Sequence, residues 1–172
     1  MMLLTICDLN PAVPVAAENE ARRRGLTGVT GHIGDLLALQ ADAAVSPANS
    51  FGMMDGGIDL AYSRKWGWGV QEHLRALIEA RPMGELLVGE ALIVPTGDPA
   101  IRFCISAPTM RVPGPIHDPA DVFLASKVAF LAARAAKFER LLMPGMGTLT
   151  GRVPAGLAVR LMLDAYQAVF CP

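Results

Sequence analysis

Two glycine-rich stretches lie far apart in this chain, and each stands between a short apolar run and a helical pattern. The first is Ser46-Pro47-Ala48-Asn49-Ser50-Phe51-Gly52-Met53-Met54-Asp55-Gly56-Gly57-Ile58-Asp59. The second is Pro144-Gly145-Met146-Gly147-Thr148-Leu149-Thr150-Gly151-Arg152-Val153-Pro154. Glycine lets a backbone pass close to a ligand and take conformations closed to other residues. A helix start just beyond such a turn adds unpaired N–H groups and a positive dipole end, which together suit a phosphate. Two such turns facing each other make a clamp for a diphosphate, provided the fold brings them together.

The pattern between them predicts how it does. Strands are expected over Leu3–Leu9, Thr27–Ile33, Ala43–Ser46, Gly89–Pro95, Arg102–Ala107 and Leu141–Met143. Asn10-Pro11 opens a helix that runs to about Arg24, before Gly25. Further helices are expected over Ile58–Trp66 and Val70–Ala80, broken at Gly67-Trp68-Gly69, then Ala120–Lys137 after Asp118-Pro119, and from Pro154 to about Ala168. Strands alternating with helices predict an α/β fold, a three-layer α/β/α sandwich with a mixed, largely parallel sheet. No repeat, linker or low-complexity stretch interrupts the chain, so residues 1–172 are expected to form one domain.

Composition narrows the function classes. Hydrophobic residues make up 52% of the 172 and charged residues only 18%, which argues for a well-buried fold and against disorder. The net charge is −1 and, apart from the run Arg22-Arg23-Arg24, the basic residues are scattered, so general nucleic-acid binding through a basic face is not expected. No uncharged apolar run approaches a membrane span, and the apolar start is too short for a signal peptide. Cys7, Cys104 and Cys171 share no metal-ligand spacing and suggest neither a disulfide framework nor a zinc site. A cytoplasmic protein that needs no metal and no cofactor is the expectation.

Familiar nucleotide motifs do not fit. Gly145-x-Gly147-x-x-x-Gly151 lies near the C-terminus, with no further strand and ribose-binding acid beyond it, unlike a dinucleotide-binding fingerprint. No glycine-rich stretch ends in Gly-Lys-Ser/Thr. His32, His73 and His117 are scattered, and Ser46 and Ser50 belong to no Gly-x-Ser-x-Gly elbow. Trp66 and Trp68 read as packing at a helix junction. Tyr166, Phe170 and the apolar tail cover a sheet edge or join a partner subunit, and Thr109–Pro119 reads as a plain connection. Asp35, Asn49 and Asp59 stand at strand ends or glycine-rich turns. Each reads as a turn or helix-start residue, or as a polar group offered to a ligand.

From about Thr27 to Ala168 the chain resembles the macro domain family. Gly34-Asp35-Leu36 is similar to that family's Gly-Asp-Ile turn, and Asp42-Ala43-Ala44-Val45-Ser46-Pro47-Ala48-Asn49 to its Asp-Ala-Ile-Val-Asn-x-Ala-Asn segment. Gly56-Gly57-Ile58-Asp59 resembles the end of its Gly-Gly-Gly-Val-Asp segment. Val88-Gly89-Glu90-Ala91 is similar to a strand start in the family, and Gly147–Pro154 to its second phosphate loop.

The resemblance implies a mixed sheet between helices, with ADP-ribose or an ADP-ribosylated protein as partner in a cleft at the strand ends. It implies that Asp35, beside Leu36, accepts the adenine amino group. Gly145, Met146, Gly147, Thr148, Leu149, Thr150 and Gly151 would cradle the diphosphate, opposite Gly56 and Gly57. Asn49 would bond the distal ribose hydroxyls, with Phe51 a candidate pocket wall. Asp59 would lie near the anomeric carbon, where a carboxylate can stabilise an oxocarbenium-like state and orient water. Asp59 and Asn49 are therefore the candidate catalytic pair for hydrolysis of mono-ADP-ribosyl linkages or ADP-ribose 1″-derivatives. A non-catalytic module that only binds the nucleotide is the alternative. The chain departs from the family where Ser46 replaces the first loop asparagine and Met53-Met54-Asp55 replaces part of a glycine run. Met53 and Met54 are expected to reshape the distal pocket. Asp55 competes with Asp59 for the acid's role, and Lys65 is a further local candidate.

Overall fold

The structure is a computed structural model that describes residues 1–171. Its elements follow in chain order. They are β1 (Leu3–Asp8), α1 (Ala12–Arg24), β2 (Val29–Ile33), a 3-10 turn (Leu36–Ala38), β3 (Ala41–Ser46), α2 (Gly57–Trp66), α3 (Gly69–Glu79), β4 (Leu92–Pro95), β5 (Ile101–Ser106), α4 (Ala120–Ala135), β6 (Arg140–Met143) and α5 (Ala155–Phe170). The six strands form one sheet in the order β2-β1-β6-β3-β5-β4. Every neighbouring pair is parallel except β4–β5.

Strand side chains alternate between two faces, and here both faces are buried. Leu4, Ile6, Ala43, Val45, Ile105, Leu141 and Met143 enter one core with α1, α4 and α5. Cys7, Ala44, Cys104 and Leu142 enter the other, with α2 and α3. The result is the three-layer sandwich expected from the alternation of elements.

Local chemistry explains most boundaries. The Asn10 side chain accepts from the Ala12 N–H at 3.0 Å, and the Gly25 N–H closes the far end of α1 on the Ala21 and Arg22 carbonyls. β4 starts later than the sequence suggests because Gly89 and Glu90 are drawn into a turn. The Glu90 carboxylate there accepts from the Leu87 N–H at 2.9 Å and pairs with Arg81 at 2.6 Å. The closing helix runs to Phe170, past Ala168, because the last ring still has partners: Phe130 at 5.8 Å and Tyr166 at 5.0 Å between centroids. Tyr166 is buried and donates to the Met2 carbonyl at 2.8 Å, so its side chain serves this chain's own core.

Five parallel strands place their C-terminal ends on one edge of the sheet. Turns at that edge are where ligands bind in open α/β sheets. Both glycine-rich stretches leave from it, one after β3 and one after β6.

Removing the Tyr166 hydroxyl tests the link between the two chain ends. Tyr166→Phe leaves the Met2 carbonyl without its partner and should lower the urea midpoint by an amount equal to about 1–2 kcal/mol, with the slope unchanged. An unmoved midpoint would show that the contact contributes nothing.

Candidate functional site

A cleft of about 700 Å³ runs along the C-terminal edge of the sheet. Its wall follows the strand order. Gly34, Asp35, Leu36 and Leu37 come from beyond β2, and Cys7 to Asn10 from the end of β1. Pro144, Gly145 and Gly147–Gly151 follow β6; Pro47, Gly56, Gly57, Ile58 and Asp59 follow β3; Thr109 and Met110 follow β5.

The second loop turns back on itself. The Val153 N–H donates to the Gly147 carbonyl at 3.0 Å, and the Arg152 N–H to the Leu149 carbonyl at 3.1 Å. Gly147 holds φ at +72°, which favours glycine. A Cβ on Gly151 would stand 2.5 Å from the Gly147 oxygen. Folding this tight leaves the N–H groups of Met146, Gly147, Thr148, Leu149, Thr150 and Gly151 without an acceptor among the described residues. Across the cleft, the N–H groups in the first turn of α2, from Gly57 to Asp59, are unpaired as at any helix start. Amide groups gathered at such a turn and helix start attract an anion.

The first loop is organised by Asn49. Its Oδ1 accepts from the Phe51 N–H at 3.1 Å and the Met53 N–H at 3.3 Å, while Nδ2 donates to the Met53 carbonyl at 2.9 Å. Its oxygen is thereby used within the loop, while one Nδ2 hydrogen has no acceptor among the described residues. Met146 is fully buried in the core, so only its backbone belongs to the loop. Met54 lies in the second core and Met53 points to solvent; neither reshapes the cleft. Phe51 lies under the Arg111 guanidinium at 5.1 Å, away from the cleft wall. The Thr148 hydroxyl donates to the Gly145 carbonyl at 3.2 Å and so braces the loop.

Asp59 stands in the first turn of α2, buried, with Ser46 donating to its Oδ1 at 2.5 Å. Burial raises its pKa to about 7. The Ser46 hydrogen bond opposes that rise, and the Asp55 charge adds to it. A carboxyl near neutrality in a cleft can give or take a proton at physiological pH. Ser46, which replaces an expected asparagine, thus acts on the acid and has no exposure of its own. Asp55 and Lys65 are exposed and off the cleft wall.

At the other end, Asp35 caps the 3-10 turn, accepting from the Leu37 N–H at 2.9 Å, and stays exposed. Beside it, Cys7 donates to the Gly34 carbonyl at 3.4 Å, and burial foremost, then Asp8 and Asp35, push its thiol up to about 11. It stays protonated. Among the described residues, no lysine or arginine lines the cleft, and no three His, Cys, Asp or Glu gather to hold a metal ion.

Sequence reasoning missed three participants. Asp8 ends β1 and accepts from the Gly145 N–H at 3.1 Å, a contact between residues too far apart to be linked by any local signal. Thr109, with a fully buried hydroxyl that lacks a partner, and Met110 come from the segment read as a plain connection. That segment also supports both loops. Met110 forms a bridge with Asn49, and the Ile116 N–H donates to the Gly151 carbonyl at 2.9 Å.

A mostly parallel six-stranded sheet between helix layers, with two glycine-rich turns facing across its edge, defines the class. The profile of the Macro domain matches residues 45–162, and the chain belongs to the macro domain family. An uncharacterised protein of Aeropyrum pernix is 39% identical over 69% of this chain, which spans 60% of that relative's length. Among solved structures, the macrodomain of Mycobacterium tuberculosis DarG superposes with a TM-score of 0.67 at 24% identity, covering 78% of this chain and 87% of its own. A mutant Oceanobacillus iheyensis macrodomain solved with ADPR gives 0.68 at 20% identity, covering 77% and 73%.

Two measurements check this geometry. Asp59 holds its proton to a higher pH in the folded chain than in the unfolded one. The folded state is therefore free of a charge penalty below about pH 4, accumulates it as pH rises, and carries it in full above about pH 7. Asp59→Asn removes the penalty, so the variant should gain on the wild type as pH rises from about 4 to about 7, by up to about 4 kcal/mol. Parallel melting curves across that range would refute the buried acid. Gly151→Ala should cost about 1–3 kcal/mol through the clash with Gly147. Gly156→Ala, whose Cβ meets nothing within 4 Å, should instead be neutral or stabilising by up to about 1 kcal/mol. Equal effects at both positions would contradict the close approach in the loop.

Proposed function

We propose that the cleft binds ADP-ribose and hydrolyses bonds at the anomeric carbon of its distal ribose, as found in mono-ADP-ribosyl linkages or ADP-ribose 1″-derivatives. The observation that carries this reading is the run of amides over Met146–Gly151 that have no acceptor among the described residues, with an acid near neutrality beyond it and a second acid, Asp35, at the far end. The neighbouring fold solved with ADPR supports the choice of ligand. In this reading Asp35 accepts the adenine amino group beside Leu36, and the loop amides with Gly56 and Gly57 take the diphosphate. Asp59 meets the distal ribose. As the bond to the leaving group lengthens, Asp59 stabilises the positive charge on the ring and receives a proton from the attacking water. Asn49 shapes the first loop through its oxygen and offers its remaining Nδ2 hydrogen to the distal ribose. Three free thiols, two of them buried, suit the reducing cytoplasm in which we place the protein.

The second reading is a binding module without turnover. The burial of Asp59 favours it, because an acid 6% exposed meets water only if the bound ligand leaves room for one.

Calorimetric titration with ADP-ribose decides whether the cleft binds. Micromolar affinity is expected, falling by about 1–3 kcal/mol in Asp35→Ala as a hydrogen bond to a charged group is lost. Release of ADP-ribose from modified protein or a 1″-ester, abolished in Asp59→Asn while binding persists, marks the enzyme. Binding without release marks the module, and no binding sinks both.

A further inference from the structure

The strand order places a third carboxylate where the ligand's middle must lie. Across the cleft edge, the ends of β2, β1, β6 and β3 follow one another, bearing Asp35, Asp8, the Gly145–Gly151 loop and Asp59. A base–ribose–diphosphate–ribose ligand with its base at Asp35 and its diphosphate on the loop must cross the end of β1 with its first ribose. β2 and β6, on either side of β1, stand two interstrand spacings apart, ~10 Å. Asp8 is the charged side chain on that crossing.

Asp8 is also fixed there. Its Oδ1 accepts from the Asn10 N–H at 2.9 Å and its Oδ2 from the Gly145 N–H at 3.1 Å, one donor on each side of the β1 end. Both oxygens keep a further lone pair, and an ionised carboxylate can only accept. It therefore suits the vicinal hydroxyls of a ribose, which donate, and opposes a phosphate ester at the same place. An acidic residue on the ribose of a dinucleotide makes the same distinction, which an arginine reverses. Here no lysine or arginine among the described residues lines the cleft to offset the charge.

We infer that Asp8 is a specificity-determining residue that admits nucleotides with free 2′- and 3′-hydroxyls on the base-side ribose and rejects their 2′-phosphorylated counterparts. The inference rests on the ADP-ribose reading of the cleft. The protein would then act on ligands derived from the unphosphorylated dinucleotide and ignore those derived from its 2′-phosphate.

The test compares ADP-ribose with its 2′-phosphorylated form by calorimetry, on wild type, Asp8→Asn and Asp8→Glu. The wild type should favour ADP-ribose by about tenfold or more, through like-charge repulsion in a partly desolvated cleft. Asp8→Asn loses the charge and keeps one carbonyl oxygen, so one of the two backbone N–H groups loses its acceptor, and the preference should shrink to about threefold or less. Asp8→Glu keeps the charge and should keep the preference, which separates the charge from any disturbance of the Gly145 turn. Equal wild-type affinity for both ligands overturns the inference while leaving the ADP-ribose site standing. So does an undiminished preference in Asp8→Asn. Failure of ADP-ribose itself to bind overturns the cleft reading and this inference with it.

Discussion

A methyl group on Gly151 would come within 2.5 Å of the Gly147 carbonyl oxygen, closer than packed atoms approach. The cleft depends on that absence. Because the loop after β6 can close so tightly, its amides need not turn inward to satisfy one another, and six of them have no acceptor among the described residues, five of these belonging to residues on the cleft wall. A looser loop, with a side chain at Gly151, would have to open the Val153–Gly147 hydrogen bond that sets its shape. The same closeness brings Ile116 against the loop, its Cδ1 2.6 Å from the point where that methyl would stand. Its backbone N–H holds Gly151 from outside.

As the proposed diphosphate cradle, the loop offers backbone amides and no side-chain cation. Asp8, Asp35 and Asp59 line the cleft, and no lysine or arginine among the described residues lines it with them. A diphosphate brought into such a place is attracted only by fixed dipoles, and it meets carboxylates along its length. The structure relieves part of this conflict at Asp59, where burial favours the neutral acid. At Asp8 two backbone donors hold the side chain beside the loop. The acids are thus unequal by environment: one buried and close to neutral, one pinned by backbone N–H groups, one exposed at the rim.

Much of this was legible in the sequence, for physical reasons. Element types followed from the apolar periods and from Asn10, Gly25 and Gly67, whose effects are local. The glycine-rich turns and Asp35 and Asp59 were visible because each stands beside a strand end. What escaped were contacts made by folding. Asn49 read as a ligand group because its amide could serve one; its partners within the chain, the backbone of Phe51 and Met53, depend on a loop conformation no spacing declares. Met54 read as a pocket residue but is anchored in the core by the Gln71 and Ser63 side chains, which bond the backbone on both sides of it. Asp8 escaped because Gly145 lies on the other side of the chain's longest stretch of structure.

The segment after β5 joins these strands of argument. Met110 pairs with Asn49 in the first loop, Arg111 accepts from the Ser50 N–H and lies over Phe51, and Ile116 holds the second loop. Between them the chain runs Val112-Pro113-Gly114-Pro115, with two prolines that limit the conformations it can take. The two jaws of the cleft are therefore fastened to one short, stiff piece of backbone rather than standing on the sheet independently. A ligand that moves one loop must strain the other through this strap. Both jaws are thus held by contacts from Met110 to Ile116 as well as by the sheet.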